Sequence, residues 1–289
     1  MKIGVSVKMR KGGYARFGIE KYKIIKKHGF DCVDFDMSNT ANSLYHLDEK
    51  DFEKYLKTEK SLSDIAGIEI YQTHGPWTWP IKDFEKADRI RRLREMEKSI
   101  YATAILGSKY FVIHPLMPFG IDDIDKGMEK ETWGINLSFI KKVLEKAKKY
   151  GVTVCLENTP FPKFSLATPE QISNLIREID EENLKMCLDT GHIAVFGDKF
   201  PGNAIREFKE DIKVLHIHDN GGEKDEHISP HLGIIDWNDF SSALKEINFD
   251  GNLSLEVVPK ESLSTTEFEI ESIKLAETAR LLAEKITRS

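Results

Sequence analysis

The chain has 289 residues, 40% of them hydrophobic and 31% charged, with a formal net charge of -6. That composition supplies apolar surface for a large core, and a mildly acidic chain is not built to coat nucleic acid or an anionic membrane non-specifically. No stretch approaches the roughly 20 apolar residues of a membrane span. The apolar run Met1 to Val7 is too short for a signal peptide. A cytoplasmic location is therefore the default expectation.

The text alternates between short runs rich in β-branched residues, which read as buried parallel strands, and longer charged stretches with helical periodicity. The first strand is expected over Lys2 to Val7 and its helix over Tyr14 to His28. The second pair is Cys32 to Asp36 and Asp51 to Ala66, the third Ile68 to His74 and Asp83 to Leu106. The fourth is Tyr110 to His114 and Ile135 to Tyr150, the fifth Val152 to Glu157 and Pro169 to Ile179. The sixth is Leu184 to Asp189 and a shorter helix near Asn203 to Lys209. The seventh is Ile212 to His218 and Trp237 to Ile247, the eighth Leu253 to Val257 and Thr266 to Ile286. Eight units average about 36 residues each, a comfortable size for a βαβ repeat, so residues 1–289 read as one (β/α)8 TIM barrel, an α/β fold. Gly29, Gly67, Gly107, Gly151 and Gly251 fall where helix C-caps are expected. A doubly wound open sheet would need a Gly-rich turn after its first strand, and Val7 to Gly13 is a poor match. Cys32, Cys155 and Cys187 each sit in an apolar run and read as small buried core residues.

The strands are apolar until they end. The third ends at His74, the fourth at His114, the fifth at Glu157 and the sixth at Asp189; the seventh ends at His216 to Asp219 and the eighth carries Glu256. In a parallel barrel all strand C-termini meet at one face, so these groups converge. One polar strand end is as often a helix cap as a functional group, but six of eight are hard to explain by capping. Several carboxylates at one mouth repel each other, and a divalent cation removes that conflict. Mixed carboxylate and imidazole donors suit Mn, Zn, Co or Fe better than Ca. The turn Leu188-Asp189-Thr190-Gly191-His192 offers a further pair, and the loop after the seventh strand adds Asp225, His227 and His231. His231 reads as merely solvated.

The segments Gln72-Thr73-His74, Ile113-His114-Pro115, Leu156-Glu157-Asn158-Thr159, Leu188 to His192, His216 to Asp219, Asp225 to His227 with Ile235-Asp236-Trp237, and Leu255-Glu256-Val257 run in order over most of the chain. As an ordered set they resemble the xylose isomerase-like barrel superfamily, which contains sugar isomerases, ketose 3-epimerases, inosose dehydratases and the endonuclease IV type of DNA-repair nuclease. The resemblance implies that Glu157, Asp189, His216 and Glu256 hold one divalent ion, Mn, Zn, Co or Mg. It places His74, His114, His192, Asp225 and His227 where the nuclease type keeps further metal ligands. The sequence also departs from its relatives. It has no Arg between Asp219 and Trp237 and reads His231-Leu232-Gly233 where a Gly-acid-Gly turn is common. Met37 to Asn42 does not resemble the nuclease's DNA-reading loop, which lowers that reading most.

The implied chemistry is isomerisation or epimerisation of a small carbohydrate, a sugar, sugar phosphate or polyol. It would run through an enediolate, with Glu157 and Glu256 as the acid/base pair. His74, His114, His192, His227 and Trp77 are the candidate substrate contacts. Dehydration of the inosose type uses the same carbanion, and a three-zinc phosphodiesterase acting on abasic DNA is the alternative from another class. Trp77, Trp79, Trp133 and Trp237 all fall in or beside loops assigned to the mouth, and Gly75 to Pro80 is the candidate lid. Lys8, Arg10 and Lys11 could meet a substrate phosphate, though a solvated charge run explains them more simply. Homo-oligomers are common among such barrels; no interface is legible.

Overall fold

The structure is a computed structural model that describes residues 1–9, 12–41 and 43–287. Its strands are β1 (Ile3–Lys8), β2 (Cys32–Asp36), β3 (Glu69–His74), β4 (Tyr110–Ile113), β5 (Thr153–Glu157), β6 (Leu184–Asp189), β7 (Ile212–His216) and β8 (Leu253–Leu255). The helices are α1 (Lys21–His28), α2 (Glu49–Ala66), α3 (Lys86–Ile105), α4 (Glu129–Lys149), α5 (Pro169–Ile179), α6 (Thr190–Ala194), α7 (Pro201–Glu207), α8 (Trp237–Glu246) and α9 (Thr265–Thr287). Each strand from β1 to β6 pairs in parallel with the next, and β1 also pairs with β8. Between β7 and β8 the barrel closes just past the strand ends. Ile217 N donates to Ser254 O at 2.9 Å, and Glu256 N donates to Ile217 O at 3.1 Å. The fold is the (β/α)8 barrel expected from the sequence.

Side chains alternate between two faces along each strand. Phe111, Ile113, Val154, Leu156, Met186, Leu188 and Leu215 belong to the large core shared with the helices. Burying each such side chain stabilises the fold by about 1.5–3 kcal/mol. The intervening residues Val112, Cys155, Cys187 and Val214 form a separate small cluster inside the barrel. Two positions further on, with the same inward parity, stand His114, Glu157, Asp189 and His216. The parity that fills the barrel floor with apolar side chains thus aims the ionisable ones into its mouth. All three cysteines are buried and free.

Local signals end the helices as their chemistry requires. Gly29 and Gly67 close α1 and α2 in left-handed conformations (φ 104° and 66°) that a Cβ would strain. Gly251 does not serve this way; Asn248, with φ 52°, takes the left-handed turn after α8. Thr168 accepts from Gln171 N and Pro169 opens α5. The first helix is shorter than expected. Gly13–Glu20 is 3-10 helix interrupted at Gly18 (φ 54°), and α-helix starts only at Lys21. In the other direction, α4 starts at Glu129, ahead of the expected Ile135. A short α6, capped by Asp189 itself, follows β6 and was not anticipated.

Candidate active site

Glu157 ends β5 and is fully buried. Its Oε1 lies 2.7 Å from His216 Nδ1. Its Oε2 has no hydrogen-bond partner and faces His74 Nε2 and His114 Nε2, each 3.4 Å away. Glu256, just past β8, brings Oε2 to 3.5 Å from the same His216 Nδ1, and that oxygen too is buried and unpartnered. Asp189 stands in register with His216 across β6 and β7. It accepts from His192 N at 2.7 Å as the cap of α6, and its other side faces His218 Nε2 at 3.1 Å. Asn158 fixes this strand end: its amide accepts from Asp189 N (2.8 Å) and donates to Asp189 O (3.0 Å).

A second cluster adjoins the first. The chain after β7 folds back through an antiparallel bridge between Asp219 and Ile228, which brings in Asp225 and His227. Asp225 Oδ2 lies 3.4 Å from His192 Nε2 and 3.1 Å from His227 Nε2, and its Oδ1 lies 3.5 Å from His218 Nε2. The rings of His218 and His227 stack at 4.1 Å. Gly191 makes this approach feasible, since a Cβ there would fall 1.9 Å from His218 Cε1.

Burial and mutual attraction pull the ionisable groups in opposite directions. Burial opposes charge on His74, yet Glu157 raises it to about 9. It likewise opposes charge on His192 and His227, but Asp189 and Asp225 raise the first, and Glu256 and Asp225 the second, each to about 10. On His114 burial wins and lowers it to about 3. Burial would raise Glu157, but His216 and His114 hold it well below the usual carboxylate range. Burial dominates at Glu256 and raises it, against His216 and His227. The two glutamates thus have opposite biases.

The residues present fit a metal ion. Glu157, Asp189, His216 and Glu256 offer ligand atoms all within 4.8 Å of one another, as do His74, Glu157 and His216, and likewise His192, His218, Asp225 and His227. The buried carboxylate oxygens left unpartnered on Glu157 and Glu256 are what a cation would satisfy.

A cavity of about 350 Å3 opens above these groups, walled by Asp34, His114, His192, Asp225, His227 and Glu256 with Trp77, Trp79 and Phe161 at its aromatic side. No Lys or Arg lines it among the described residues. The site residues expected from the sequence are therefore brought together. Trp77 packs on His114 at 4.6 Å, and Trp79 stacks with Phe161 at 6.1 Å. Trp133 and Trp237 do not reach the cavity: Trp133 bonds Glu178 on the outer helices, and Trp237 is buried with its indole N–H on Asp219. His231 packs on Trp237 away from the site. Lys8 pairs with Glu261, and Arg10 and Lys11 lie outside the described residues. Asp34, Asp36 and His218 had no assigned role, yet Asp34 and Asp36 line the cavity and His218 braces Asp189. Their signal was present as charge at inward parity within an apolar run.

Known proteins resemble this chain over most of its length. The uncharacterized protein MJ1311 of Methanocaldococcus jannaschii is 29% identical over 265 residues, 89% of this chain and 83% of that protein. The inosose isomerase of Bacillus velezensis is 27% identical over 256 residues, 84% of each chain. A probable endonuclease 4 of Metamycoplasma arthritidis is 26% identical over 218 residues, 72% of this chain and 74% of that protein. Among solved structures, a D-tagatose 3-epimerase-like protein superposes with a TM-score of 0.72 at 26% identity, covering 99% of this chain and 100% of the other. The model of the xylose isomerase-like TIM barrel family matches residues 22–278. The chain belongs to that family.

Proposed function

We propose that the protein is a divalent-metal-dependent isomerase or epimerase of a small, uncharged polyhydroxy ketone, with Glu157 and Glu256 as its acid/base pair. One observation carries the reading: two glutamates from different strands converge on His216 Nδ1, each leaving a buried carboxylate oxygen unpartnered. Glu157, Asp189, His216 and Glu256 would hold the ion. Mn, Zn, Co or Mg would supply Lewis-acid polarisation of a carbonyl at this place.

The chain's own residues do the rest. One glutamate takes the proton from the carbon beside the carbonyl, and the other returns a proton. His192 and His227 line the cavity wall and are the proposed contacts for substrate oxygens. Trp77, Trp79 and Phe161 give the apolar face of a sugar ring a surface to pack on and keep water away. Among the described residues no Lys or Arg lines the wall, which disfavours a phosphorylated substrate. The similarity to an inosose isomerase and to a D-tagatose 3-epimerase-like protein supports the substrate class. Exchange of substrate α-hydrogen with deuterated solvent, screened over ketoses and inososes in the presence of each ion, tests the reading. Exchange that disappears with chelation supports it, and its absence from every combination opposes it.

A second reading, a multi-metal phosphodiesterase, is favoured by the two further clusters around His74 with His114 and around His192, Asp225 and His227. The similarity to a probable endonuclease 4 points the same way. Against it stand the net charge of -6 and, among the described residues, a cavity wall with no Lys or Arg.

A further inference from the structure

Asp34 is a carboxylate in the apolar run Cys32-Val33-Asp34-Phe35, and it is buried. A buried carboxylate is costly unless it is paired. No lysine or arginine pairs with it among the described residues; its ion-pair partner is His216, whose Nε2 lies 2.7 Å from Asp34 Oδ2. The same oxygen accepts from Gln72 Nε2 at 3.0 Å, and Gln72 is its register partner on β3. The Gln72 amide also reaches Leu215 O, the carbonyl just before His216, at 3.4 Å. Three strands thus converge on the far side of one imidazole. Its near side, Nδ1, faces Glu157 and Glu256.

An acceptor held against one ring nitrogen fixes the proton there and leaves the other nitrogen's lone pair free for a cation. We propose that Asp34, steadied by Gln72, is a positioning residue that keeps the proton on His216 Nε2 and presents Nδ1 to the cation. On this account it sets the affinity of a site it does not itself complete. The inference rests on the proposal that a divalent ion binds at His216.

The test compares zinc affinity, by competition with a chromophoric chelator, in the wild type, Asp34→Asn and Gln72→Leu, with melting of each metal-free protein as the control for folding. Asp34→Asn keeps the shape and removes the charge, and zinc binding should weaken about 10- to 100-fold while metal-free melting changes little. Gln72→Leu should weaken it less. Nitrogen-15 spectra of the zinc-loaded wild type should place the His216 proton on Nε2 and the metal on Nδ1. Affinity unchanged within about twofold in Asp34→Asn would overturn the inference. So would a spectrum with the metal on Nε2, which decides the matter alone if the variants do not fold. A wild type that takes up no zinc, manganese, cobalt or magnesium would remove the functional reading itself, an outcome distinct from a variant that binds as the wild type does.

Discussion

Glu157 sits between His216, His74 and His114, and its chemistry depends on what neutralises it. In the metal-free protein the imidazoles must do so. His74 is raised to about 9 and His192 and His227 to about 10, all above the unfolded value near 6.5. A raised folded value means that bound protons favour the fold. The contribution is complete below about pH 6.5 and fades as pH rises through about 9–10. Chelator-treated protein should therefore lose melting temperature steadily across that window, whereas protein saturated with metal should lose less, since the cation replaces those protons. A flat profile without metal would contradict this balance. For catalysis, Glu157→Gln and Glu256→Gln should each slow solvent exchange of the substrate α-hydrogen by about 10^2- to 10^4-fold. Full activity in either variant would refute the acid/base assignment.

At the scale of elements, the junction of β6 with α6 holds the two clusters together. Gly191→Ala would drive a Cβ into the His218 ring, and overpacking of this kind costs about 1–3 kcal/mol. It should lower the melting temperature and weaken metal binding together. Asn158→Leu would leave the buried Asp189 N–H unpaired, at a cost of about 1–3 kcal/mol. Calorimetric or denaturant unfolding checks both. These junctions also show what a sequence can and cannot reveal. His74, Glu157, Asp189 and His216 were legible because each closes a short strand with a side chain suited to bind a metal or move a proton. His114 and Glu256 lie one step past their strands but keep the inward parity. Asp34 was passed over because it sits inside its strand rather than at the end, although its charge at inward parity within an apolar run marked it, and register with Gln72 shows what it meets. The approach of Asp225 and His227 depends on the Asp219–Ile228 bridge, a tertiary contact that no periodicity encodes. The shortened first helix follows from the left-handed Gly18, which helical spacing alone did not flag.

At the scale of the molecule, the barrel was readable because eight strand-and-helix units repeat without a break in composition. Its closure at Ile217 lies at the same end as the ionisable mouth, so the last strand delivers Glu256 opposite Glu157. The number of ions that mouth holds was not readable. Glu157 and His216 are shared between two of the candidate ligand sets, and the sequence does not say which sets fill. Elemental analysis of protein purified without chelator answers that most directly. The account predicts about one Mn, Zn, Co or Mg ion per chain, held by Glu157, Asp189, His216 and Glu256. About three zinc ions per chain would contradict it in favour of phosphodiester chemistry, and no bound ion at all, even after reloading, would contradict a metal-centred site altogether.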